Sequence, residues 1–182
     1  MRKITAVEFV SLDGVVEAPE EWTQPYFNEE LMEMAQAGMD SADAMLLGRR
    51  TYQDFAAYWP HQSREEPFTA WTNDTHKYVV STTLKELEYR PATLISKDVE
   101  ARVRDLKRQE GKGISLLGSP TLVRSLLPTG LIDELSVFLC PIVVGKGKRL
   151  FEEPVGQLAL RLADSRALKT GAVALTYRPE GV

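Results

Sequence analysis

The 182-residue sequence holds one cysteine and two histidines. Cys140 alone cannot close an internal disulfide, and with only His61 and His76 to add imidazole no Cys/His set has the spacing of a zinc site. The expectation is therefore a reducing, cytoplasmic setting and no metal. A long apolar run is also lacking. No stretch approaches the length of a membrane span, and Glu8 and Asp13 break the apolar core that a signal peptide would need after the positively charged start. Nor is there an excess of basic charge: the formal charge of −4 and a pI near 5.3 argue against a nucleic-acid or membrane-surface partner. Any anion site has to be local. No G-x-G-x-x-G follows a strand, and the run Gly145-Lys146-Gly147-Lys148-Arg149 lacks the spacing and the Ser/Thr of a phosphate-binding kinase loop. It reads as a solvated loop.

What is present is enough apolar residue, 43%, for one domain over 1–182 with a sizeable core. Ile4 to Leu12, Ala42 to Leu47, Lys77 to Ser81, Thr93 to Ser96, Ile114 to Leu117 and Glu134 to Pro141 read as strands, β-branched and apolar with turn formers after them. Leu158 to Leu168 and Ala172 to Tyr177 form a terminal pair around Lys169-Thr170-Gly171. Between them lie helical patterns: one capped by Asn28 and closed by Gly38, a short one from near Thr51 that ends at Trp59-Pro60, Phe68 to Thr72, Asp98 to Gln109, and Thr121 to Leu127 with Ser119 as N-cap. Strands alternating with helices and finishing antiparallel predict an α/β sandwich with a largely parallel sheet and an antiparallel edge.

Three strand ends share one character: Gly48-Arg49-Arg50-Thr51, Ser81-Thr82-Thr83 and Gly118-Ser119-Pro120. Ligands of open α/β sheets bind outside the carboxyl ends of the strands, so three such junctions can line one crevice. Gly48 and Gly118 let backbone come close to a ligand, and the helix starts at Thr51 and Ser119 offer free N–H groups to phosphate. Arg49 or Arg50, with the hydroxyls of Ser81 and Thr82, can hold a further phosphate. The plainer alternative for the arginines is that both reach solvent. His61 and His76 read as surface or loop residues, and Cys140 as a small core residue.

The order of SLDG at Ser11–Gly14, LLGRRTYQDF at Leu46–Phe55, YVVSTTL at Tyr78–Leu84, LLGSPTLVRSLLPTGLIDEL at Leu116–Leu135 and PIVVGKGKRLF at Pro141–Phe151 resembles the dihydrofolate reductase-like superfamily. Within it the chain is most similar to the reductase domain of the bifunctional riboflavin-biosynthesis deaminase-reductase and its stand-alone relatives. The resemblance implies a three-layer dihydrofolate reductase-like sandwich and an NADPH-dependent reductase of a pyrimidine or pteridine-type heterocycle, like 5-amino-6-(5-phosphoribosylamino)uracil reductase. It implies phosphate contacts from Gly48, Arg49, Arg50 and Thr51, a 2′-phosphate contact from Ser81 and Thr82, and a pyrophosphate turn at Gly118 and Ser119 with Leu122 following. Ser11–Gly14 falls beside the nicotinamide and substrate, where Asp13 either orients substrate or relays a proton, or only forms the turn. Trp22, Tyr52 and Trp59 either wall a flat heterocycle or belong to the core. Glu29, Glu30 and Glu33 lie where a dihydrofolate reductase places its pterin-binding carboxylate, without a matching motif; folate reduction and a non-catalytic NADP(H)-binding module remain alternatives. A homodimer is implied too, with the ELSVFLCP and LALRL strands either packing on a partner or buried within the monomer.

Overall fold

The computed structural model describes residues 1–152 and 156–181. Its strands are β1 (Ile4–Ser11), β2 (Ala42–Gly48), β3 (His76–Val80), β4 (Ala92–Ile95), β5 (Gly113–Leu117), β6 (Glu134–Cys140), β7 (Leu160–Ala167) and β8 (Val173–Pro179). All eight join one sheet in the order β4-β3-β2-β5-β1-β6-β8-β7. The first six run parallel, β8 runs antiparallel to β6, and β7 runs antiparallel to β8. Five helices cover the two faces: α1 (Glu29–Ser41), α2 (Arg49–Tyr58), α3 (Pro67–Asp74), α4 (Val99–Arg108) and α5 (Pro120–Leu126).

Strand pleating decides which helix lies where. Ala6, Leu116 and Leu46 stand in register on one face, packed with Val103 and Leu106 of α4 and Leu122, Val123 and Leu126 of α5. One residue further along each strand points the opposite way. Val7 and Phe9 meet Leu31 and Met34 of α1, and Leu47 and Leu117 meet Tyr52 and Phe55 of α2. The sheet is thus covered on both sides, the arrangement that parallel strands require.

Several boundaries differ from the sequence reading. The first helix runs through Gly38 to Ser41, because a glycine facing open space on the exposed side gives no reason to stop; it ends where Ala42 turns extended into β2. The second helix starts at Arg49, two residues before Thr51, with Gly48 as an extended N-cap. β1 stops at Ser11, whose hydroxyl takes the Val15 N–H at 2.9 Å, and Leu12 is left exposed. β6 is paired on both sides, with β1 and with β8, so ELSVFLCP is an interior strand; the exposed edge belongs to β7. Cys140 is fully buried there, and burial pushes its thiol up to about 11.

The amino ends of the strands are closed by charge. Lys107, buried on α4, donates to Leu131 O at 2.9 Å and to Asp133 Oδ2 at 2.5 Å, and the same oxygen takes the Ile4 N–H at 2.7 Å. Arg2 pairs with Asp43 and reaches Lys112 O and Gly113 O. These contacts tie the starts of β1, β2, β5 and β6 together.

On β1, Glu8 is buried on the α4/α5 face, and its Oε1 has no hydrogen-bond partner among the described residues. Burial pushes its carboxyl up to about 8, partly offset by the charge of Arg124. The folded protein therefore keeps a proton that the unfolded chain has released, and stability falls as pH climbs from the ordinary carboxylate range to about 8.

Two outcomes follow for stability. Lys107→Met leaves Asp133 without its cation and is expected to cost about 3 kcal/mol in urea unfolding. Glu8→Gln, which cannot ionise, is expected to narrow the gap in Tm between pH 5 and pH 8 seen in the parent protein.

Candidate active site

The carboxyl ends of β3, β2, β5 and β1 lie side by side, so the three junctions singled out in the sequence are neighbours. The join between two of them is a single hydroxyl. Ser119 Oγ accepts the Gly48 N–H at 2.8 Å and donates to Thr51 Oγ1 at 2.9 Å. Ser119 does occupy the N-cap position of α5, but its side chain makes no cap bond there. It crosses instead to the β2–α2 turn. To do so, Gly118 and Ser119 both adopt left-handed backbone (φ 54° and 62°), which at a serine costs about 1–2 kcal/mol. The Gly118 N–H is taken by Val7 O at 3.1 Å, which fixes the turn against β1. A side chain at Gly48 would put its Cβ 3.3 Å from Ser119 Oγ, so the glycine makes the close approach possible. Leu122, a turn further along, is buried in the core beneath this junction.

The two arginines diverge. Arg49 Nη1 donates to Thr83 Oγ1 at 3.3 Å, beside Ser81. Ser81 is buried and its hydroxyl accepts the N–H groups of Thr83 and Leu84, leaving Thr82 exposed on the turn it organises. Arg50 turns the other way and pairs with Glu17 at 3.7 Å. It also faces Asp54, whose carboxyl is raised by burial and by Glu20 against the pull of Arg50. Arg50 thus meets carboxylates and Arg49 meets hydroxyls. Thr83 was named in the sequence only as part of its junction, and Glu17 was not singled out; an acidic residue in a loop carries no sign of which arginine it will meet.

Asp13 is held by three donors. Its Oδ1 accepts from Ser11 Oγ at 2.6 Å and Val144 N at 3.1 Å, and its Oδ2 from Gly145 N at 2.8 Å. These bonds, the Ser11 hydroxyl first, bring its carboxyl down to about 2. It is an ionised acceptor at neutral pH. The backbone follows the same pairing: Val16 N–H meets Lys148 O, Leu150 N–H meets Gly14 O, and Arg149 Nε donates to Asp13 O. The GKGKR run is exposed in its side chains, but its backbone forms a double strap with residues 13–17.

Of the aromatic residues proposed from sequence, Trp22 and Tyr52 are buried and Trp59 is half-buried. Trp22 is buried and donates to Glu17 O at 3.0 Å. Tyr52 is buried and exchanges hydrogen bonds with the Tyr89 backbone at 3.3 and 2.9 Å. Trp59 stands edge-on to Tyr58 and Phe68, with ring centroids 4.9 and 5.0 Å away. Three rings are clearly open among the described residues, Tyr58, Phe27 and Phe151 at 55%, 45% and 43% exposed, and of these Phe27 stacks at 5.6 Å on the partly exposed Phe9 at the end of β1. Of the candidate carboxylates, Glu30 is engaged: it takes the Lys169 N–H at 2.8 Å and the Asn28 amide at 3.0 Å, which lowers its pKa, while Glu29 and Glu33 are exposed. Among the described residues, no group of three or more His, Cys, Asp and Glu side chains gathers as a metal site needs, and no helix is long and apolar enough to cross a membrane. His61 is exposed, and His76 pairs through its ring with Thr93 Oγ1.

Known proteins are similar to the chain in sequence or in architecture. Protein YyaP of Bacillus subtilis (strain 168), itself uncharacterised, is 30% identical over 148 residues, 79% of this chain and 77% of its own. A deaminase/5-amino-6-(5-phosphoribosylamino)uracil reductase of Thermotoga maritima superposes with a TM-score of 0.69 at 13% identity, covering 98% of this chain and 56% of that one. A dihydrofolate reductase of Enterococcus faecalis, complexed with NADP(H), superposes with a TM-score of 0.61 at 11% identity over 98% of this chain and 96% of that one. The family model described as the RibD C-terminal domain matches residues 2–174. With that match over nearly its whole length, the chain belongs to the RibD C-terminal domain family and has the dihydrofolate reductase-like fold.

Proposed function

We propose that the protein is an NADPH-dependent reductase of a pyrimidine or pteridine-type heterocycle, related in its reaction to 5-amino-6-(5-phosphoribosylamino)uracil reductase. The observation that carries this reading is the Ser119 cross-link, which sets Gly48, the start of α2 and the Gly118 turn side by side, with Arg49 at their edge. A phosphate over the first turn of α2 meets free N–H groups and the positive end of a ten-residue helix. Thr51 stands behind it, bonded to Ser119. Arg49, with Ser81, Thr82 and Thr83 around it, reads the 2′-phosphate that separates NADPH from NADH. Arg50, already paired with Glu17, braces the strap instead.

When bound, the reduced nicotinamide supplies a hydride; the protein's share is to orient both partners and exclude water. Asp13 serves here as an ionised organiser of the strap and not as the proton donor. With Glu30 tied to Lys169 and Asn28, and Glu29 and Glu33 exposed, α1 has no buried, unengaged carboxylate to bind a pterin as folate reduction requires. A second copy of the chain docks along β7, which is exposed on both faces at the sheet edge.

The first test is cofactor preference by calorimetry. NADPH is expected to bind more tightly than NADH, Arg49→Ala to lose roughly ten- to a hundredfold in NADPH affinity, and Arg50→Ala to stay within about threefold of the parent. Equal affinity of the parent protein for the two cofactors would sink the reading. Oxidation of NADPH across a panel of aminouracils and pteridines separates an enzyme from a non-catalytic binding module. In the active case, the pH profile of kcat/KM is expected to show no limb from Asp13 between pH 5 and 8. Its stabilising bonds are present above the ordinary aspartate range and are lost only as pH falls toward about 2.

A further inference from the structure

The carboxyl end of β1 gathers apolar groups that the cofactor reading does not use. Phe9 lies on the α1 face of that strand and stacks on Phe138 of β6 at 5.2 Å. Phe27, from the segment before α1, lies over Phe9 at 5.6 Å with ring planes 28° apart. Three segments close in around this stack. Leu12 N–H bonds Ile142 O, and Tyr26 reaches Pro141 O, so β1, β6 and the approach to α1 meet there. Leu12, Phe27 and Val143 are 60%, 45% and 69% exposed, an apolar rim that burial within the chain does not explain.

Its place in the sheet says what it faces. Counting along the strand ends from Ser81 through Gly48 and Gly118 to Phe9 crosses three strand spacings of about 4.8 Å, about 14 Å in all. That is the reach of a dinucleotide laid out from Arg49 across the Ser119 junction. Phe9 and Phe27 stand at the far end of the track, on the face that α1 and α2 share. A flat, weakly polar ring is the ligand that two stacked phenyl groups favour.

We infer that Phe9 and Phe27 form the platform on which the ring of the hydride acceptor stacks, with Leu12 and Val143 as its rim. This rests on the cofactor reading above and assigns to that site an aromatic wall made of residues other than Trp22, Tyr52 and Trp59. Phe27 supplies an open ring face, and Phe9, backed by Phe138, holds Phe27 in place.

The test uses the full chain saturated with NADP+ and two ring probes, pteridine-2,4-dione and 5,6-diaminouracil, with NADP+ affinity measured separately. Phe27 lies outside the helices and strands and is half-open to solvent, so Phe27→Ala is expected to keep the parent Tm. It is expected to bind NADP+ as the parent does and to lose about tenfold in affinity for the rings, the size of one lost stacking contact. Phe27→Tyr is expected to restore binding to within about threefold. Ring affinity unchanged in Phe27→Ala overturns the platform, as does a parent protein that binds NADP+ but neither ring. Loss of self-association with ring binding intact also overturns it, since the patch is then a protein contact. A parent protein that does not bind NADP+ overturns the cofactor reading itself.

Discussion

One hydroxyl group links the two turns on which the candidate site is built. Ser119 Oγ holds the Gly48 N–H and the Thr51 hydroxyl at once, and reaches them only because two consecutive residues accept left-handed backbone. Without it, the β2–α2 turn and the β5–α5 turn would share only the sheet beneath them. With it, the first turn of α2 is fixed beside the Gly118 turn, and Arg49 is set at the edge nearest Ser81 and Thr83. Strain of about 1–2 kcal/mol at Ser119 is offset by the bonds it allows. Such strain is kept where surrounding contacts over-determine the backbone, and those contacts here all lie at the mouth of the crevice.

The two ends of the parallel strands have opposite characters. At the amino ends, Lys107 with Asp133 and Arg2 with Asp43 tie four strands together through buried or half-buried charge. At the carboxyl ends, the polar groups are turned toward turns and loops, and the apolar ones at Leu12, Phe27 and Val143 are left uncovered. Asp13 and Glu17 then fasten the 144–150 segment over β1 from its flank. A rigid base with a strapped rim is a site that can orient a flat ligand and still admit it.

Much of the fold was legible. β-branched, apolar runs and the turn formers after them placed every strand within a few residues, and the resemblance in SLDG, LLGRRTY and LLGSP pointed to the family that the match over residues 2–174 shows. The boundaries that slipped did so for local reasons. Gly38 continues a helix because its exposed face costs little, and Arg49 starts one early because Gly48 is already held from outside its own turn. The aromatic residues were the least legible. Trp22, Tyr52 and Trp59 can each wall a ligand or fill a core, and only tertiary packing gives them partners: Glu17 O for Trp22, the Tyr89 backbone for Tyr52 and Phe68 for the half-buried Trp59.

Local pattern and backbone sterics account for the alternation of strands and helices, the glycines at the strand ends and the two adjacent arginines. Which arginine meets hydroxyls and which meets a carboxylate was decided by tertiary structure alone. Arg49 and Arg50 are identical in sequence terms, but one helical step of about 100° turns them to different neighbours: hydroxyls after β3 for Arg49, and Glu17 in the strap for Arg50. The same holds for Ser119, whose local pattern spells a helix cap and whose partner lies 71 residues away at Gly48. Contacts over that separation depend on strand order, and strand order is a property of the whole sheet.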